Sequence, residues 1–259
     1  MRTFKSWLSY SVFEEAVRKK NRFIYDSATK DFLKTVLETG KPRVEEVKEG
    51  SVLWRSQLGH DWEPHCEGDE HIGDVPSPFF HKRMKPLNDS ACEGRVNPKG
   101  IPYLYLSTNM NTSMAEVRPW IASYISVGKF KLLKDVKLIN CTIENKRRRM
   151  VWLKEPSPQE REISVWNDID QAFSRPVTPN DSIADYVPTQ IVAELFKNNG
   201  FDGIAYRSSL GKGHNVVLFD LNAADLINCA LHETKEISFN FSQVSNTCFI
   251  SKCYKKNNV

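Results

Sequence analysis

Three separated segments place a chemically capable side chain beside a run of strand-forming residues. Val52-Leu53-Trp54-Arg55 ends an apolar run on an arginine. A guanidinium there can clamp phosphate oxygens through parallel hydrogen bonds, or pair with a surface carboxylate. Gly94 to Gly100 sets two glycines, two cations (Arg95 and Lys99) and the amide of Asn97 ahead of a strand. Glycine lets a backbone approach a ligand closely; Arg95 can meet a phosphate, and Asn97 can fix the turn or meet a ribose. Glu116 sits among Met114, Ala115 and Val117. That pattern puts a carboxylate at the rim of a buried surface or on an exposed helix face. Tyr105 lies mid-strand. Ser208 and Ser209 lie between a strand and a Gly-rich turn, where a hydroxyl contacts a ligand or shapes the turn.

The elements that must position these residues can be read from periodicity. Residues 51–58 predict a strand, as do Tyr103–Ser107, Val127–Leu132 and Val136–Thr142. Glu116 falls on a helix expected from Asn111 to about Tyr124, with Pro119 threatening its second half. Ser157-Pro158-Gln159-Glu160 combines a capping box with proline at the first helical position, and Ile163, Trp166, Ile169 and Phe173 give the helix an apolar face. Pro188 opens another helix, which Gly200 closes. Ile204–Tyr206, Asn215–Phe219 and Asp225–Leu231 complete the strands. Before them, residues 1–50 predict two helices. One carries Trp7, Leu8, Val12, Phe13, Ala16 and Val17 on one face; the other runs from Asp31 to Thr39 with Asp31 as cap. The polar stretch from Gly59 to Gly94 predicts a lid or binding loop.

Composition bounds the function. The chain has 259 residues, 40% of them hydrophobic, and a net charge of +4. This suits a domain with a sizeable core and an anionic small-molecule ligand, and is weak support for a dedicated nucleic-acid binder. The basic runs Lys146–Arg149, beside Trp152, and Lys252–Lys256 are read as solvated faces, with a nucleic-acid-binding module as the competing reading. The six cysteines form no C-x-x-C and no disulfide framework, and no apolar run is long enough to span a bilayer. A cytoplasmic protein with reduced thiols is expected. His60, His65, Cys66, His71, His81 and Cys92 are metal-ligand types, but their spacing fits no recognised zinc pattern, so no metal is expected.

Taken together, Arg55, the Gly94–Thr108 segment with Glu116, and the Gly200–Phe219 segment resemble the RES-domain family, named for its arginine, glutamate and serine. Tyr206-Arg207-Ser208 matches the family's tyrosine-x-serine, which selects Ser208 over Ser209. The family's glycine–asparagine–hydrophobic ending matches Gly211 through Val216 and brings in Asn215. The resemblance covers roughly residues 50 to 230. It implies an α+β fold with an ADP-ribosyltransferase-like split β-sheet core and surrounding helices. The expected organisation is an N-terminal helical extension (1–50), a catalytic domain (51–235) and a C-terminal extension (236–259).

By the same resemblance the substrate is NAD, cleaved at its nicotinamide–ribose bond by a glycohydrolase or phosphorylase; a transferase that ADP-ribosylates a macromolecule is the alternative. Many members are toxins partnered by a helix-turn-helix antitoxin. Glu116, Ser208 and Arg55 would carry catalysis. Arg55, Arg95, Asn97, Tyr105, Ser208 and Asn215 would contact the dinucleotide. In this scheme Glu116 stabilises positive charge on the ribose, Arg55 with Arg95 holds the pyrophosphate, and Tyr105 stacks on nicotinamide or closes the pocket.

Overall fold

The computed structural model describes residues 2–87, 91–143, 154–175 and 183–244. In chain order its elements are α1 (Ser9–Lys19), α2 (Ser27–Gly40), β1 (Val44–Val47), β2 (Val52–Leu58), β3 (Asp61–Glu67), β4 (Glu70–Ser77), β5 (Leu104–Ser107), α3 (Met110–Glu116), β6 (Tyr124–Leu132), β7 (Val136–Asn140), α4 (Pro158–Ser174), α5 (Val187–Asn198), β8 (Gly203–Arg207), β9 (His214–Leu218) and β10 (Ala224–Glu233). Both basic runs and Trp152 lie outside the described residues.

Eight strands form one mixed sheet in the order β1-β7-β8-β9-β5-β2-β6-β10. The sheet is nearly divided. β2 pairs with β6 from Val52↔Lys131 to Leu58↔Ile125, and β5 pairs with β9 from Leu104↔Leu218 to Ser107↔Asn215. Between β2 and β5, by contrast, Trp54↔Ser107 is the sole register pair. Beyond it the strands diverge and leave backbone groups that must find other partners. This is the α+β split-sheet architecture expected, and the cleft it opens holds the site.

The helices cover one face. Trp166, Ile169 and Phe173 of α4 and Val192 and Phe196 of α5 are almost fully buried, in one cluster with Phe13 and Val17 of α1 and Phe32 and Val36 of α2. Residues 1–50 therefore share the main core. Ser157 and Glu160 make both bonds of the capping box: Glu160 N–H donates to Ser157 Oγ at 3.3 Å and Ser157 N–H to Glu160 Oε2 at 2.8 Å.

Four local expectations are corrected. The cap of α2 is Asp26, which accepts the Thr29 N–H at 2.7 Å; Asp31 lies inside the helix and pairs with Arg2 and Lys5. The buried stripe of α1 is Tyr10, Phe13 and Val17, leaving Val12 63% exposed. The helix bearing Glu116 ends at that residue, because Pro119 disfavours helical geometry at Arg118, whose φ is 50°. Finally, the first half of the polar stretch after β2 is not a loop: β3 and β4 pair as a hairpin through a turn at Gly68 and Asp69. Most of its residues are exposed, so no apolar alternation marked it in the sequence.

Candidate active site

Glu116 closes α3, and side chains from two neighbouring strands converge on it. Ser208, just past β8, donates its hydroxyl to Glu116 Oε1 at 2.6 Å. Asn215 of β9 donates Nδ2–H to the same oxygen at 2.7 Å. Ser107 of β5 in turn donates to Asn215 Oδ1 at 2.8 Å, which turns the amide NH2 toward the carboxylate. Strand register brings these groups together, since Asn215 stands opposite both Ser107 and Tyr206. Both bonds fall on Oε1; among the described residues Oε2 makes no hydrogen bond to the protein. Glu116 is exposed to the cleft mouth, so it is oriented without being sealed from a ligand.

The strand end that presents Ser208 is anchored below. Arg207 forms an ion pair through Nε with the fully buried Asp170 of α4, and its backbone N–H donates to the same carboxylate at 3.1 Å. Ser209 points elsewhere, donating to the Ser174 carbonyl at 2.9 Å.

Arg55 occupies the divergence of β2 and β5. Its Nη1 donates to the Tyr105 carbonyl at 3.0 Å, replacing the backbone pairing lost where the strands part. Its Nε is buried without a hydrogen-bond partner. Burial pulls the guanidinium down to about 10, so it stays charged at neutral pH. A charged donor left over in a cleft suits an anionic ligand oxygen.

The Gly94–Asn97 turn is built by hydrogen bonds. Tyr105 Oη–H donates to Asn97 Oδ1 at 2.7 Å and accepts the Val96 N–H at 3.1 Å. Asn97 Nδ2 donates to the Cys92 carbonyl at 2.9 Å, and Gln190 of α5 donates to the carbonyls of Gly94 at 2.9 Å and Asn97 at 3.1 Å. A Cβ on Gly94 would lie 2.6 Å from Tyr105 Oη and 2.7 Å from Asn97 Oδ1, which explains glycine there. Of the two roles open to Asn97, its bonds are those of a turn-fixing residue. Tyr105 keeps its ring on the cleft with its hydroxyl turned inward, and burial raises its phenol above the usual range. Arg95 lies against the end of α4, donating to the Ala172 carbonyl at 3.2 Å.

Two cavities meet at Glu116. One, of about 410 Å³, is walled by Trp54, Arg55, Tyr105 and Val117; the other, of about 290 Å³, by Arg118, Phe173 and Arg175. Arg95, Glu116, Tyr206 and Asn215 border both. None of the residues 61–77 lines either cavity, while Gly94, at the end of the same polar stretch, lines the larger one. In the hairpin, His71 bonds Asp74 at 3.0 Å, and farther on His81 bonds Asp225 at 2.9 Å. Among the described residues no three metal-ligating side chains gather.

Three contributors had little signal in the sequence. Ser107 is an ordinary strand residue until β9 brings Asn215 beside it. Gln190 and Asp170 sit on helices far along the chain from the groups they hold.

The family model for the RES domain matches residues 66–242, most of the chain, and the chain belongs to that family. Arg55 lies just before the matched segment. Among solved structures, the crystal structure of the M. tuberculosis MbcT–MbcA toxin–antitoxin complex is similar at a TM-score of 0.40 and 15% identity, covering 76% of this chain and 92% of that one. No curated protein matches the sequence.

Proposed function

We propose that this protein cleaves the nicotinamide–ribose bond of NAD. The observation that carries this reading is Glu116: a carboxylate with one oxygen held by Ser208 and Asn215 and the other left for a ligand, in a cleft that also holds Arg55. In NAD the nicotinamide nitrogen is already cationic. When its bond to C1′ breaks, the bonding pair neutralises the ring, nicotinamide leaves without being protonated, and positive charge passes to the ribose. One oriented carboxylate near C1′ stabilises that charge. An acceptor then adds at C1′; when it is water, its proton is released to solvent.

In this reading Arg55 holds the nicotinamide mononucleotide half through the donor it has left, and Arg95, which borders both cavities, meets the diphosphate. Tyr105 walls the nicotinamide side. Ser208 and Asn215 are positioning residues that act through Glu116. A toxin held in check by an antitoxin is the biological setting we propose, on the strength of family membership.

The test is incubation with NAD followed by mass analysis of the nucleotide products and of added protein and nucleic acid. Free ADP-ribose identifies hydrolysis, its phosphate ester identifies phosphorolysis, and a mass added to a macromolecule identifies transfer. Intact NAD at high enzyme concentration overturns the proposal.

A further inference from the structure

A third cavity continues the cleft. Of about 490 Å³, it lies between α1 and α4 and is walled by Tyr10, Glu14, Asp168 and Gln171. It shares Ser174, Arg175 and Ser209 with the arginine-lined cavity beside Glu116. The cleft thus runs from an aromatic end, past a carboxylate, past arginines, to an end lined by hydroxyl, carboxamide and carboxylate groups. Tyr10 is 4% exposed and its hydroxyl has no hydrogen-bond partner. A buried hydroxyl left unsatisfied is costly unless something occupies the space beside it.

We propose that this cavity is the adenosine subsite of the enzyme, with Tyr10 and Glu14 of α1 and Asp168 and Gln171 of α4 reading the base and its ribose. The proposal rests on NAD being the substrate and extends that reading to residues upstream of the family-matched segment. The order of chemistry along the cleft matches the dinucleotide: the reacting ribose at Glu116, the diphosphate in the cavity that Arg95 lines together with Arg118 and Arg175, and a neutral, hydroxyl-rich nucleoside beyond. Carboxylates suit that last position because they accept hydrogen bonds from ribose 2′ and 3′ hydroxyls. The same carboxylates repel a 2′-phosphate, so the site favours NAD over NADP. Glu14 is held in place by Arg18 at 3.4 Å, and Arg18 in turn pairs with Asp185. The α1 helix is therefore a binding wall as well as a packing element.

The experiment compares wild type with Tyr10→Phe and Glu14→Gln, using AMP as a direct calorimetric probe and NAD, NADP and nicotinamide mononucleotide as substrates. Tyr10→Phe removes only an oxygen that has no partner, so the free protein should melt at or above the wild-type temperature. Each variant should raise KM for NAD by about three- to tenfold, the worth of one hydrogen bond, with kcat and the mononucleotide KM unchanged. AMP binding should weaken in step, and Glu14→Gln should narrow the preference for NAD over NADP. Unchanged AMP affinity in both variants, or equal losses with NAD and the mononucleotide, overturns the subsite while leaving NAD cleavage intact. AMP binding lost in the variants of a protein that cleaves no NAD supports the subsite and sinks the cleavage reading instead.

Discussion

Replacing Glu116 by Gln probes the charge without removing the scaffold around it. Ser208 and Asn215 both donate to Oε1, at 2.6 Å and 2.7 Å, and the carbonyl oxygen of a glutamine can accept both. The change then falls on the other side of the group, where Oε2 gives way to an NH2. A partial positive charge replaces a negative one at the place where the ribosyl cation develops. Losing one preorganised electrostatic contact of this kind costs about 3–4 kcal/mol, or about a hundred- to a thousandfold in kcat. NAD affinity should change little, so kcat and kcat/KM fall together. Glu116 is exposed and ends its helix, so the variant should fold. The assay is nicotinamide release at saturating NAD, with circular dichroism to check folding. A folded variant with near wild-type turnover would refute the role of Glu116 and the cleavage chemistry built on it.

Three further outcomes follow from the geometry. Ser208→Ala should lower turnover well below Ser209→Ala, since only Ser208 reaches Glu116 while Ser209 bonds the Ser174 carbonyl; equal rates in parallel assays would remove the distinction. Arg55→Ala should raise KM for NAD by about ten- to a hundredfold, the range of a charge-assisted hydrogen bond, and an unchanged KM in steady-state kinetics would place the nucleotide elsewhere. Gly94→Ala should destabilise the fold by about 1–3 kcal/mol in urea titration, as overpacking does, because its Cβ would meet Tyr105 Oη at 2.6 Å; a stability equal to wild type would mean the turn yields without cost.

The capping box at Ser157 and Glu160, the proline and glycine that bracket α5, and the apolar strands around Tyr105 and Val216 could all be read from the chain, because caps and short strand-forming runs are set by residues within a few positions. The candidate chemistry was legible in the same way: Arg55, Glu116 and Ser208 stood out by type, context and resemblance. The polar β3–β4 hairpin was not, since strands with both faces in water carry no apolar period. Nor did local sequence reveal the true cap of α2, where Asp26 and Asp31 are both competent caps and tertiary ion pairs claim the second. What only the folded chain decided is how the chemical groups meet. The register that sets Ser107 opposite Asn215, the divergence of β2 and β5 that leaves Arg55 a carbonyl and a spare donor, and the approach of α1 to α4 beside Arg175 each join residues far apart in sequence. Local sequence supplies such groups, but their contact depends on strand order and helix packing, which the whole core determines at once.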